Sequence, residues 1–149
     1  MGTTYRLHNS IMYQLTLTAR LQERRLEDGL RQLGLTRLTW CILLAVHIEN
    51  HSQPSEIAQF IGTDRTATSR ALRQMEAKGW LARRTGEGDR RTTRVALTPA
   101  GIALLERAVP VAEDNARHFL SKLPGDGCDA LQRLLSDLRS GEAHNLPHF

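Results

Sequence analysis

Apolar positions recur at two different periods along the chain, and the change of period divides it. From residue 6 to residue 33 they return about every fourth position, first as Leu7, Ile11 and Leu15 and again as Leu26, Leu30 and Leu33. This predicts one long amphipathic helix, ended by Gly34. At ~1.5 Å per residue such a helix is about 42 Å long, against a radius of gyration near ~15 Å for a compact chain of this size. It therefore protrudes, and its apolar stripe needs another surface. A second helix begins at the cap Thr36 and turns Leu38, Cys41, Ile42, Ala45 and Ile48 inward. After a turn at His51, Ser52 and Gln53, Pro54 opens a short helix that buries Ile57, Ala58 and Ile61. Gly62 supplies a positive-φ position, and Thr63 is placed to cap a helix over residues 64–78.

Gly79 stops that helix, and the period drops to two over residues 80–85 and 92–98. Thr93, Val95 and Leu97 share one face there, and Arg94 and Ala96 the other. Gly86 and Gly88 make the hairpin loop. Helical spacing returns at Thr98-Pro99, a cap followed by an N1 proline, and continues toward Leu123 with a bend expected at Pro110. Pro124 to Gly127 interrupts the chain. Cys128, Leu131, Leu134, Leu135 and Leu138 then form the stripe of a last helix, and residues 141–149 give no clear signal. The fold class is mainly α with a small β-hairpin. The terminal helices carry more apolar stripe than one small body covers, which a twofold dimer answers by pairing them.

Charge is concentrated where the period changes. Residues 65–94 hold nine basic side chains against Glu76, Glu87 and Asp89, a net +6, whereas the whole chain carries +4, leaving −2 for the remainder. Lys78 and Lys122 are the only lysines. The planar fork of arginine suits bidentate contacts to phosphate and guanine. On the helix over residues 64–78, Thr68, Ala71, Leu72 and Met75 fall on one side. Arg65, Thr66, Ser69, Arg70 and Arg73 fall on the other. Small hydroxyl side chains near the helix N-terminus let the backbone approach a groove closely, and the arginines reach bases or phosphates. The hairpin that follows carries Arg83, Arg84, Arg90, Arg91 and Arg94, with Asp89 spaced to brace Arg91 as a finger for a narrow, negative minor groove. One rod and one finger point to double-stranded DNA. A basic module for an acidic protein partner is the rival reading.

Other chemistry is sparse. Apolar residues at 40% and charged residues at 24% suit a globular protein. No apolar run approaches the ~20 residues of a membrane span, and the N-terminus lacks the apolar region of a secretory signal. Cys41 and Cys128 are too few for a disulfide framework, so a cytoplasmic location is expected. Cys41 lies on an apolar face. Cys128 lies at a helix start, where a thiolate is favoured, so a thiol-based redox response is a second rival. His47 and His51, four apart with Glu49 between, are a weak metal pair without a third ligand. Neither Gly86-x-Gly88 nor Gly125-x-Gly127 is followed by a phosphate-loop lysine, and no nucleophile elbow occurs. No metal, cofactor or enzyme activity is expected.

Gly34-Leu35-Thr36 with Trp40 four residues on, residues 63–70, Lys78-Gly79-Trp80, and Asp89-Arg90-Arg91 leading to Leu97-Thr98 and Gly101 resemble the MarR family of winged helix-turn-helix regulators. The resemblance covers nearly the whole chain. It implies a single domain over residues 1–149, with a winged helix-turn-helix core at 36–98 flanked by dimerisation helices at 6–33 and 99–140. It also implies a homodimer on a pseudo-palindromic operator, usually repressing, and released by a small anionic or phenolic effector. The helix over 64–78 would enter the major groove and Arg91 the minor groove. An effector pocket is expected where the first and second helices meet the helix after Thr98, with Tyr13 and Trp40 as walls and Arg20 as a carboxylate partner. A branch of the family senses hydroperoxides through a thiol near the start of the first helix. Residues 1–40 contain no cysteine.

Overall fold

The computed structural model describes residues 4–85 and 93–143. A 3-10 turn at Leu7–Asn9 precedes α1 (Ile11–Arg31), α2 (Arg37–His47), α3 (Pro54–Ile61) and α4 (Arg65–Ala77). The strands β1 (Leu81–Thr85) and β2 (Thr93–Leu97) follow, then α5 (Pro99–Leu120) and α6 (Gly127–Leu138). The two strands form one antiparallel hairpin in which Leu81 stands opposite Leu97 and Arg84 opposite Arg94. The architecture is thus mainly helical with a single hairpin, as the change of period implies. The loop with Gly86 and Gly88 lies outside the described residues.

The first helix is shorter than its leucine spacing suggests. Ser10 is extended (φ −77°, ψ 122°) and its hydroxyl accepts the Tyr13 N–H at 3.4 Å, so α1 begins at Ile11. A serine side chain offers the backbone an alternative to helical bonding, which periodicity cannot register. The 21 residues of α1 span about 32 Å.

In α2 the Thr36 hydroxyl accepts the Thr39 N–H at 3.2 Å, and Thr39 Oγ1 accepts the Thr36 N–H at 2.9 Å. This closes a capping box. Ile42, Leu43 and Ala45 are fully buried, but Ile48, expected to face inward, is 55% exposed. The helix has already ended at His47, and the N–H groups of Ile48 and Glu49 both donate to Leu44 O. The chain unwinds there and the stripe loses its phase.

Gly62 ends α3 with φ +81°, a left-handed conformation that glycine adopts without a Cβ clash. The cap of α4 is Asp64 and not Thr63. Asp64 Oδ1 accepts the Ala67 N–H at 2.7 Å, whereas Thr63 is buried and its N–H completes the end of α3 on Ala58 O.

Residues of α2 sit at the centre of the core, with Ile57 of α3, Leu72 and Met75 of α4, Leu81 and Val95 of the hairpin, and Leu104 and Leu105 of α5 around them. The junction of hairpin and α5 is tight. Thr98 Oγ1 donates to Gly79 O at 2.5 Å and caps α5 by accepting the Gly101 N–H at 3.1 Å. A Cβ on Gly101 would stand 1.9 Å from Trp80 O, so only glycine fits. Helix α5 continues through Pro110. It is tied to α1 by Arg25, whose guanidinium donates to Asp114 at 2.9 Å and to Asn115 at 3.4 Å. The buried Asn115 amide donates in turn to Gln22 O at 3.3 Å.

No residue of α6 is buried. Leu131, Leu134 and Leu138 are exposed, as are Leu7, Ile11 and Met12 at the other end of the chain. No described helix is long and apolar enough to cross a membrane.

Candidate nucleic-acid interface

Helix α4 presents two chemically distinct sides. Thr68, Ala71, Leu72 and Met75 are buried, and Thr68 Oγ1 is satisfied by Asp64 O at 2.9 Å. Arg65, Thr66, Arg70 and Arg73 are exposed and Ser69 is half-buried. All five candidate residues therefore lie on the side away from the core. Arg73 Nε donates to Ser69 O at 3.3 Å, holding that side chain along its own helix. Asp64 occupies the Ala67 amide in the first turn and caps the helix where it starts.

The hairpin is attached to this helix and to the loop before α3. Arg83 on β1 forms a 3.2 Å ion pair with Glu76 on α4, its side chain only 25% exposed. On β2, the Val95 N–H donates to Ser52 O at 2.7 Å and Arg94 donates to Ser52 Oγ at 3.2 Å. Arg84 and Arg94 face each other on the side of the hairpin opposite Arg83 and Val95, and both are exposed. Asp89, Arg90 and Arg91 lie outside the described residues.

Two features of this framework escape sequence reasoning. Arg83 counts as part of the basic stretch, but it is spent on Glu76. The one carboxylate on the recognition-type helix was the available signal. Ser52 reads as turn chemistry, yet it anchors the second strand through both backbone and side chain.

The expected effector-pocket residues are placed differently from one another. Trp40 is 6% exposed and belongs to the core, Tyr13 packs edge-on against His8 with ring centres 5.1 Å apart, and Arg20 is exposed. None of them lines the two cavities between α1 and α5. One, of about 600 Å³, is bounded by Arg25, Gly29, Gln32, Leu33, Val111 and Asp114. The other, of about 420 Å³, is bounded by residues that include Leu21, Arg24, His118 and Phe119. Arg25 beside Asp114 holds that carboxyl below its ordinary range, first through the hydrogen bond and then through its charge.

Cys41 is half-buried and Cys128 exposed. Burial pushes the Cys41 thiol up, against a smaller opposite pull from Arg37. His47 is exposed, His51 stacks on Phe60 with ring centres 4.6 Å apart, and no metal-binding cluster forms among the described residues.

Residues 33–92 match the MarR family model, which spans α2, α3, α4 and the first strand. The chain is similar to the transcriptional repressor MprA of Escherichia coli (strain K12), at 30% identity over 142 residues, covering 89% of this chain and 81% of that protein. It superposes on a mutant of E. coli MarR complexed with operator DNA with a TM-score of 0.77 at 25% identity, covering 84% of this chain and 90% of that one. Its fold also matches that of Bordetella bronchiseptica BpsR, with a TM-score of 0.85 at 21% identity over 94% of this chain and 100% of that one. The chain belongs to the MarR family and is a winged-helix, DNA-binding regulator of transcription.

Proposed function

We propose that two copies of this chain bind one pseudo-palindromic duplex and repress transcription from it, each inserting α4 into a major groove and the hairpin tip into the neighbouring minor groove. The observation that carries this reading is the outward side of α4. Arg65, Thr66, Ser69, Arg70 and Arg73 lie together there on a helix whose other side is core, beside a hairpin braced to it by Arg83 and Glu76. Hydroxyls and arginines on one exposed helical side match the donors that read base edges and phosphates. Arg84, Arg94, Arg90 and Arg91 would extend the contact, with Asp89 orienting Arg91.

In this reading residues 36–98 form the DNA-binding unit, and residues 6–33 and 99–140 hold the dimer. Two-fold pairing covers the leucines of α6 and sets the recognition helices about 34–36 Å apart, one turn of DNA. A small anionic or phenolic effector would release the operator. BpsR is a neighbour whose DNA binding is regulated by 6-hydroxynicotinic acid. The cavity walled by Arg25 between α1 and α5 is the place where such a ligand would bear on both helices. The protein acts by binding and not by turnover, in the cytoplasm.

The test is a gel-shift titration against fragments selected from the source genome, repeated over a salt series. Affinity should fall linearly on a log-log plot as phosphate contacts release counterions, and Arg70→Ala or Arg91→Ala should each weaken operator binding by about 1–3 kcal/mol. Absence of duplex binding at low salt would overturn the proposal.

A further inference from the structure

The contact between α1 and α5 holds a polar group that stability alone does not call for. Asn115 is 5% exposed, on a face of α5 that also buries Leu104 and Ala108. A leucine there would be buried without the cost of desolvating an amide, and a buried polar group kept in such a contact is best explained by the register it specifies. The amide is satisfied from one turn of α1. Asn115 Nδ2 donates to Gln22 O at 3.3 Å, and Oδ1 accepts from Arg25 at 3.4 Å. One turn along, Val111 stands over Gly29, where a Cβ would lie 2.5 Å from Val111 Cγ1. The valine fills the notch left by the missing side chain, and on a helix its χ1 is too restricted to swing away. These pairings run in opposite directions along the chain, so α1 and α5 are antiparallel, and a slip breaks both at once. Moved by one turn, Asn115 Oδ1 would meet Leu21 or Gly29 in place of Arg25, and neither side chain donates a hydrogen bond. Val111 would meet Arg25 or Leu33 in place of Gly29, and both carry a Cβ.

We infer that Asn115 and Gly29 lock the register of α1 on α5, and that this lock sets the half-site spacing which the paired chains accept on DNA. It rests on the paired, DNA-bound chains proposed above and adds what holds their two recognition helices at one distance. Helix α1 runs from the exposed Leu7, Ile11 and Met12 to the start of α2, and α5 runs from the hairpin to α6 with its exposed leucines. The two helices are struts between the chain ends and the winged unit. A slip of one turn moves one strut against the other by about 5.4 Å, more than the rise of about 3.4 Å per base pair of duplex DNA. Asn115 and Gly29 are positioning residues. Neither lies on α4 or on the hairpin, and both act through where α4 is held.

The experiment compares wild type, Asn115→Leu, Gly29→Ala and the double variant Gly29→Ala/Val111→Ala by thermal unfolding and gel shift. The probes are a single half-site, the selected operator, and operators with one or two base pairs added or removed between the half-sites. Wild type should prefer the selected spacing by about tenfold or more, because the second half-site is gained only where geometry lets both engage. Asn115→Leu should melt no lower than wild type and bind the single half-site equally well. Its preference among spacings should nevertheless shrink to about threefold or less. Gly29→Ala should flatten or shift the spacing profile, and adding Val111→Ala, which makes room for the new methyl group, should restore it. That pair decides the matter should Asn115→Leu fail to fold. A wild-type spacing profile in Asn115→Leu, or a loss by one common factor on the half-site and every operator, would overturn the lock while leaving DNA binding intact. So would a Gly29→Ala defect that Val111→Ala does not repair. If wild type bound no duplex at low salt, the reading beneath would fall, and the lock with it.

Discussion

Arg83 on β1 reaches back to Glu76 on α4, 3.2 Å away, and joins the helix and the hairpin that we propose to face DNA. The pair spans a helix and a strand, so it fixes the angle between them. The Arg83 side chain is 25% exposed and that of Glu76 44%, so water reaches the pair and screens it.

Replacing Glu76 by Gln should therefore affect binding more than folding. Glu76 is 44% exposed, so solvent screening limits the stability loss to no more than about 1 kcal/mol. The hairpin, freed from α4, must be ordered again on DNA, and operator affinity should fall by roughly three- to tenfold, about 0.7–1.4 kcal/mol. Urea unfolding and gel-shift titration of the same preparation measure both quantities. A variant with wild-type affinity would show that the ion pair does not position the hairpin.

The α1–α5 tie has a pH signature. Asp114 is depressed below its ordinary value of 3.8, chiefly by the hydrogen bond from Arg25 and next by its charge. A carboxyl whose folded pKa is lowered contributes stability that is fully present above the unfolded value. That contribution disappears as pH falls through the folded value. Wild type should thus exceed Asp114→Asn in urea midpoint at neutral pH, and the two curves should converge in the acid range below 3.8. Parallel curves across that range would show that Asp114 does not couple folding to protons.

The two thiols should separate cleanly under alkylation. Burial raises the Cys41 thiol, so its reactive thiolate is scarce in the native protein, whereas Cys128 is exposed at the start of α6. Iodoacetamide at mildly alkaline pH should label Cys128 alone, and both residues in urea, as read by mass spectrometry. If oxidation of a Cys128→Ser variant and of wild type changes operator binding equally, the thiol has no regulatory part. Rapid native labelling of Cys41 would contradict its placement.

Most of the helices were legible because their ends carry chemistry as well as period: Thr36, Pro54, Gly62, Gly79 and Thr98 all mark boundaries where the structure has them. The errors arose where two side chains compete for one role. Thr63 and Asp64 both offer a capping oxygen, and the decision depends on Thr63 being buried under the end of α3. Ser10 interrupts a stripe whose leucines continue on both sides, and Ile48 fits a period that has already stopped. The outward side of α4 could be read from spacing alone. The Arg83–Glu76 and Arg94–Ser52 contacts could not, because they join residues whose proximity is created by tertiary packing.

The last helix offers the sharpest test of assembly. Leu134 is 61% exposed and Leu138 53% exposed on a helix that buries none of its own residues. Fully burying a leucine is worth about 1.5–3 kcal/mol relative to leaving it exposed, and a twofold contact uses every such residue twice. Replacing Leu134 and Leu138 together by Glu should leave the protomer folded, since neither contributes to its core, while placing four carboxylates in the proposed interface of a pair. Circular dichroism should show retained helix, sedimentation should show single chains, and operator binding should weaken far more than binding of one half-site. That asymmetry follows because a dimer engages its second half-site as an intramolecular event. Sedimentation of the double variant as an intact dimer would move the interface away from α6.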